Sequence, residues 1–184
     1  MIFKRNALVV ATLLCSISAL AASDVKEFSV PESNQKFKSI VPAGWDAITG
    51  LLGSPLSLIS KKGQQGTASV IEVVPYGRKD TNDLFKKMQK DPESFYSLKE
   101  DEVDAAEGEM ISYLPFEEIK KDGATIYSIG VKYKDDGGEY LDQTFYVSTK
   151  GKELFFVKAL VPLDLENDHA TIVSQVVDSV SAKN

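Results

Sequence analysis

Four successive strand-like runs, joined by short links that each contain glycine, occupy Met110 to Val161 and constrain the fold more than any other feature. The runs are Met110 to Lys120, Thr125 to Tyr133, Glu139 to Ser148 and Glu153 to Val161. Between them, Asp122-Gly123, Asp136-Gly137-Gly138 and Lys150-Gly151 supply residues that tolerate the positive φ of a tight hairpin turn. Links this short pair neighbouring strands antiparallel, because a parallel crossover needs a dozen residues or more. In the second run Tyr127, Ile129, Val131 and Tyr133 share one face and Ser128, Gly130 and Lys132 the other, so at least one face is predicted to be covered.

Further strands are expected at Val25 to Val30 and Lys36 to Val41, around the turn-forming Pro31-Glu32-Ser33-Asn34. Leu56 to Ser60 and Ala68 to Val74, both rich in β-branched residues, extend the set. Pro42-Ala43-Gly44-Trp45 breaks the pattern between these groups. A helix is predicted from Asp80, with Asp80 or Thr81 as cap and Leu84, Phe85 and Met88 at helical spacing. Asp91-Pro92 starts a second, short helix through Phe95 and Leu98, followed by an acidic stretch from Glu100 to Glu107. From about Asp164 a last helix carries the stripe Ile172, Val173, Val176, Val177 and Val180. The predicted class is therefore α+β, a mainly antiparallel sheet flanked by helices.

Residues 1–21 read as a cleavable signal peptide, which leaves 22–184 as a single domain. Lys4 and Arg5 form the charged start, Ala7 to Leu14 the apolar run, and Ala19, Ala21 and Ala22 the small-residue cleavage signal, with the mature chain expected from Ala22. The apolar run, broken by Ser16 and Ser18, is shorter than the roughly 20 residues of a spanning helix. Leu14 is too bulky to precede a lipidated Cys15, so the one cysteine is expected to leave with the leader. A cysteine-free mature chain excludes disulfides, thiolate nucleophiles and thiolate metal sites. The predicted location is outside the cytoplasm: periplasmic in a Gram-negative source, otherwise secreted.

Removing Lys4 and Arg5 takes two of the 21 basic residues and none of the 27 acidic ones, which deepens the formal charge from −6 to −8. A surface this acidic is repelled by nucleic acid and by anionic lipid. No later stretch is long and apolar enough to span a membrane.

The segment Phe37-Lys38-Ser39-Ile40-Val41-Pro42-Ala43-Gly44-Trp45 resembles a strand ending in the P-x-G-W turn of the Mog1/PsbP-like group, which includes DcrB-type exported bacterial proteins. The Val70 to Pro75 strand followed by a helix, and Leu154 to Val161 leading through Pro162 into the last helix, fit the same element order. The resemblance implies an α/β/α sandwich and an accessory or binding role rather than catalysis. It carries no ligand or partner with it, because one fold hosts unrelated functions.

His169 is the only histidine. It stands four residues after Leu165 and three before Ile172, which predicts a half-buried ring at the edge of the apolar stripe rather than a general base or metal ligand. No serine lies in a G-x-S-x-G elbow, no H-E-x-x-H motif is present, and neither Gly50 to Gly53 nor Gly63 to Gly66 has the spacing of a phosphate loop. No cofactor is predicted. Asp135, Asp136, Glu139 and Asp142 are the best local oxygen set for calcium, with a solvated turn as the ordinary explanation. Trp45 and Tyr76, each at a strand end beside glycines, are candidates to line a binding cleft, against core packing as the ordinary role of large aromatics.

The function these features favour is an exported, non-catalytic accessory or binding protein of the cell envelope, acting on a protein or a small ligand. A hydrolase built around His169 or paired carboxylates, and a calcium-dependent module, are the alternatives.

Overall fold

A computed structural model of the chain describes residues 24–30, 36–61, 68–75, 86, 89–148 and 154–181. The expected leader with Ala19, Ala21 and Ala22, the expected turn at Pro31 to Asn34, Tyr76, and most of the helix expected from Asp80 lie outside the described residues.

Strands β1 (Asp24–Ser29) and β2 (Lys36–Val41) pair antiparallel as a two-stranded sheet. Strands β3 (Trp45–Ile48), β4 (Leu56–Ser60), β5 (Val70–Pro75), β6 (Glu109–Lys121), β7 (Ala124–Asp135), β8 (Gly138–Ser148) and β9 (Leu154–Pro162) form a second sheet. Its order is β3-β4-β5-β9-β8-β7-β6, and each pairing is antiparallel. The meander read from the sequence is present, with its turns at Asp122-Gly123 and Asp136-Gly137, while Lys150-Gly151 lies outside the described residues; β5 joins its far edge through β9. Strand β3 was not expected, because Trp45 follows a Pro-Ala-Gly break and the strand is only four residues long.

Two α-helices, α1 (Glu93–Ala105) and α2 (Glu166–Ser181), and short 3-10 turns at Leu51–Gly53 and Leu163–Leu165 are also among the described elements. α2 lays Val173, Val176, Val177 and Val180 against a core that includes Phe37, Leu58, Ile71, Phe155 and Val157. α1 places Phe95 in a second cluster with Ile129, Val131 and Tyr146. Neighbours along a strand point to opposite faces, so Phe155 and Phe156, which belong to different clusters, put the two cores on opposite sides of the sheet.

α1 runs 13 residues, straight through the acidic stretch that the sequence reading left outside it. Its buried positions are Phe95, Lys99 and Val103, four residues apart, which is one face of a helix. Glu100, Asp101 and Asp104 take the exposed faces, where charge is solvated. The helix extends further than the apolar pattern suggests because a lysine, Lys99, holds the middle of the buried stripe.

Long edge strands invite pairing with other chains. β6 is such an edge, and it carries two register shifts, Pro115, and exposed Glu117, Glu118, Lys120 and Lys121. Bulges, proline and charge all discourage a further strand from adding there.

Candidate functional site

Where α1 ends over the meander, a recess of about 200 Å³ opens between the helix and strands β7, β8 and β9. Val103 and Ala106 line it from the helix side, Tyr133 and Asp135 from β7, Asp142 from β8, and Lys158 and Leu160 from β9.

The centre of the recess is the Asp142 carboxylate, only 7% exposed. Lys99 Nζ lies 3.1 Å from its Oδ2 and also donates to Glu102 Oε2 at 2.6 Å. Lys158 Nζ stands 3.5 Å from the same Oδ2, on a partly exposed side chain. Oδ1 is buried and has no hydrogen-bond partner among the described residues. A buried acceptor without a donor carries a desolvation penalty of about 1–3 kcal/mol.

Burial works to pull the Lys99 ammonium down, but the charge of Asp142, followed by the hydrogen bond and charge of Glu102, outweighs it and raises its pKa above the ordinary lysine value. Lys99 also sits 5.8 Å from the centre of the Phe95 ring, a cation–π distance. Burial foremost, then the negative charges of Asp142 and Asp135, pushes the Tyr133 phenol up to about 12.

Both shifts have the same consequence in alkali. A group that holds its proton more tightly when folded contributes stability that is complete below its unfolded pKa and lost as pH rises through the folded one. For Tyr133 the window runs from about pH 10 to 12. Tyr133→Phe is expected to remove about 2 kcal/mol of the loss across that window. Urea unfolding at pH 9 and pH 11.5 measures it. An unchanged slope in the variant would mean that the phenol is not held neutral by the fold.

The four candidate calcium ligands are not brought together. β-Strand alternation puts Glu139 on the face of β8 opposite Asp142, and Asp142 is occupied by lysines. Asp136 lies in the turn, while Asp135 Oδ1 accepts the Gly137 N–H at 2.7 Å, the local turn role of an aspartate. Among the described residues no group of three or more carboxylate, imidazole or thiol side chains is placed to hold a metal ion.

Trp45 is not at a rim: it is 7% exposed and belongs to the α2-side core. Its ring packs against that of His169 with centroids 5.1 Å apart. His169 is also more deeply placed than expected, at 3% exposed, because it falls four residues before Val173 and so extends the buried stripe of α2. Its Nδ1 is 2.7 Å from Ser69 Oγ. That distance suits a nucleophile and base, yet Ser69 is fully buried as well, and neither residue lines the recess. A sealed pair offers no room for a substrate carbonyl.

A second feature escaped the sequence reading, which weighed Gly50 to Gly53 only as a phosphate loop. The β3–β4 connection turns through Gly50-Leu51-Leu52-Gly53, with Leu52 96% exposed and Leu51 and Ile48 partly exposed beside it. Gly50 and Gly53 sit at φ 77 and 81, the left-handed region that glycine enters freely. Leu52 is also left-handed, at φ 50 and ψ 28, where a leucine is strained by about 1–2 kcal/mol. The loop is held closed by Gly50 N–H to Ser54 O at 2.9 Å and Ser54 N–H to Leu51 O at 2.8 Å. The apolar tip is therefore fixed in place by the backbone.

No protein-family model and no curated protein matches the sequence. Solved structures do match its fold. Cyanobacterial PsbP (CyanoP) from Synechocystis superposes with a TM-score of 0.52 at 14% identity, over 90% of this chain and 96% of that one. LpqN, involved in cell envelope biogenesis of Mycobacterium tuberculosis, gives 0.53 at 14% identity, over 84% and 88%. Similarity at this level speaks to architecture and not to ligand or activity. The chain has the PsbP-like fold.

Proposed function

We propose that this chain is an exported accessory protein of the cell envelope that works by docking onto a partner protein, without catalysis of its own. The observation that carries this reading is Leu52. A leucine that is 96% exposed in a strained left-handed conformation contributes nothing to its own fold. Its presence is accounted for by something outside the chain that buries it. Burying a leucine is worth about 1.5–3 kcal/mol, and the rigid loop keeps the ordering cost of docking low. A bilayer is the poorer occupant, since the tip has no basic residue and the chain is acidic.

Export is supported by the leader-like residues 1–21 and by the start of β1 at Asp24, so a cut before Ala22 leaves every described element whole. No helix among the described residues is long and apolar enough to cross a membrane. LpqN's part in envelope biogenesis fits the same compartment; the location is periplasmic where an outer membrane exists and secreted otherwise. We read the sheet with a helix on either face as an α/β/α sandwich whose β3–β4 end presents the docking tip.

Leu52→Asn separates stability from docking, because asparagine tolerates the left-handed region. The variant is expected to gain about 1 kcal/mol in urea unfolding and to lose a partner that the wild type retains by cross-linking in envelope extract. A variant that keeps the partner, or a wild type that captures none, would overturn the docking reading.

A further inference from the structure

We propose that the recess between α1 and β8 is a binding site for a small primary amine, whose ammonium group bonds the Asp142 carboxylate in the place that Lys158 holds. The proposal stands apart from the Leu52 tip and does not rest on it.

The acceptor comes first. Asp142 Oδ1 is buried and without a donor among the described residues, in a side chain that lines the recess. A carboxylate oxygen only accepts, so its complement is an N–H or O–H group. Charge then narrows the class. Glu102, Asp135 and Asp142 are three carboxylates facing two ammoniums, Lys99 and Lys158, so the lining has one negative charge left over. An anion would add to that surplus, and a single cation would cancel it. Shape narrows it further, because Val103, Ala106 and Leu160 give an alkyl stem apolar surface beside the charged group.

The two lysines differ in how firmly they are held. Lys99 has two partners, at 2.6 and 3.1 Å, and is anchored. Lys158 approaches Asp142 only to 3.5 Å, from a side chain 34% exposed. It occupies the place an incoming ammonium would take, and its flexible stem reaches solvent when displaced. Lys158 is thus a competitor of the ligand, which gives the proposal a test with an unusual sign.

The test is a titration followed by amide NMR, using n-butylammonium chloride, with sodium chloride at equal ionic strength and 1-butanol as controls. Saturable shifts confined to the end of α1 and the β7–β8 hairpin are expected with the amine alone. Lys158→Ala is expected to bind the amine about fivefold more tightly. Asp135→Asn keeps an oxygen for the Gly137 N–H while removing charge, and is expected to weaken binding about threefold. Shifts with butylammonium that match those with sodium chloride would overturn the proposal. So would equal saturation by butanol, or Lys158→Ala binding no more tightly than wild type.

Discussion

Lys99→Met is expected to lower the free energy of unfolding by about 3 kcal/mol, while adding Asp142→Leu to it returns most of the loss. The reason lies in what each change leaves behind. The single variant keeps a carboxylate that is 7% exposed and takes away its anchored partner, which leaves Lys158 at 3.5 Å as the nearest cation. Removing one member of a buried pair typically costs 3–5 kcal/mol, and Lys158 puts this case at the low end. The double variant removes the buried charge altogether and fills the site with apolar atoms, which is often neutral or better. Lys158 then turns to solvent. The Glu102 contact is the control: Glu102 is 65% exposed, so Glu102→Gln is expected to cost under about 0.5 kcal/mol despite the 2.6 Å contact. Urea unfolding of the three variants measures the series. A double variant no more stable than Lys99→Met would mean that the pair tightens α1 packing rather than neutralising a buried charge.

This pair also marks the limit of what the sequence discloses. The meander was readable because each turn announces itself with glycine or aspartate and because Tyr127, Ile129, Val131 and Tyr133 alternate as a strand face should. The α2 stripe was readable for the same reason at helical period. Lys99 and Asp142 were not, since they are 43 residues apart and each looks solvated in its own neighbourhood. Two local signals were available. Lys99 sits midway between Phe95 and Val103 at four-residue spacing, which is a core position, and Asp142 shares a strand face with Tyr140, Thr144 and Tyr146. A charge found on each of two buried stripes is a reason to look for a pair.

The exposed leucine tip was missed differently. Gly50-Leu51-Leu52-Gly53 was weighed only as a phosphate loop and set aside for its spacing, although two leucines framed by glycines in a four-residue turn have no core to enter. His169 was recognised as part of an apolar stripe but placed at its edge. Its depth follows from Trp45 and Ser69, whose positions depend on β3 and on the sheet order. Neither can be derived from spacing along the chain.

The two-stranded sheet raises the remaining large effect. β1 and β2 form no ladder with the seven-stranded sheet, so side chains must hold them to it. Phe37 is the main one: it is fully buried, with ring centroids 5.7 Å from Phe28 and 5.6 Å from Phe155 on β9. A polar tie supplements it, the Ile40 N–H donating to Ser179 Oγ of α2 at 3.1 Å. Phe37→Ala is expected to cost about 3–5 kcal/mol, the range for removing a buried ring, whereas Phe37→Leu should cost about 1.5 kcal/mol or less. Because one backbone-independent contact patch carries the attachment, the loss should be local before it is global. Amide exchange in Phe37→Ala is expected to accelerate first in β1 and β2, with β7, β8 and β9 still protected. If the small sheet instead exchanges together with the meander, β1 and β2 are part of the same cooperative unit, and the shared packing against α2 rather than Phe37 alone fastens them to the core.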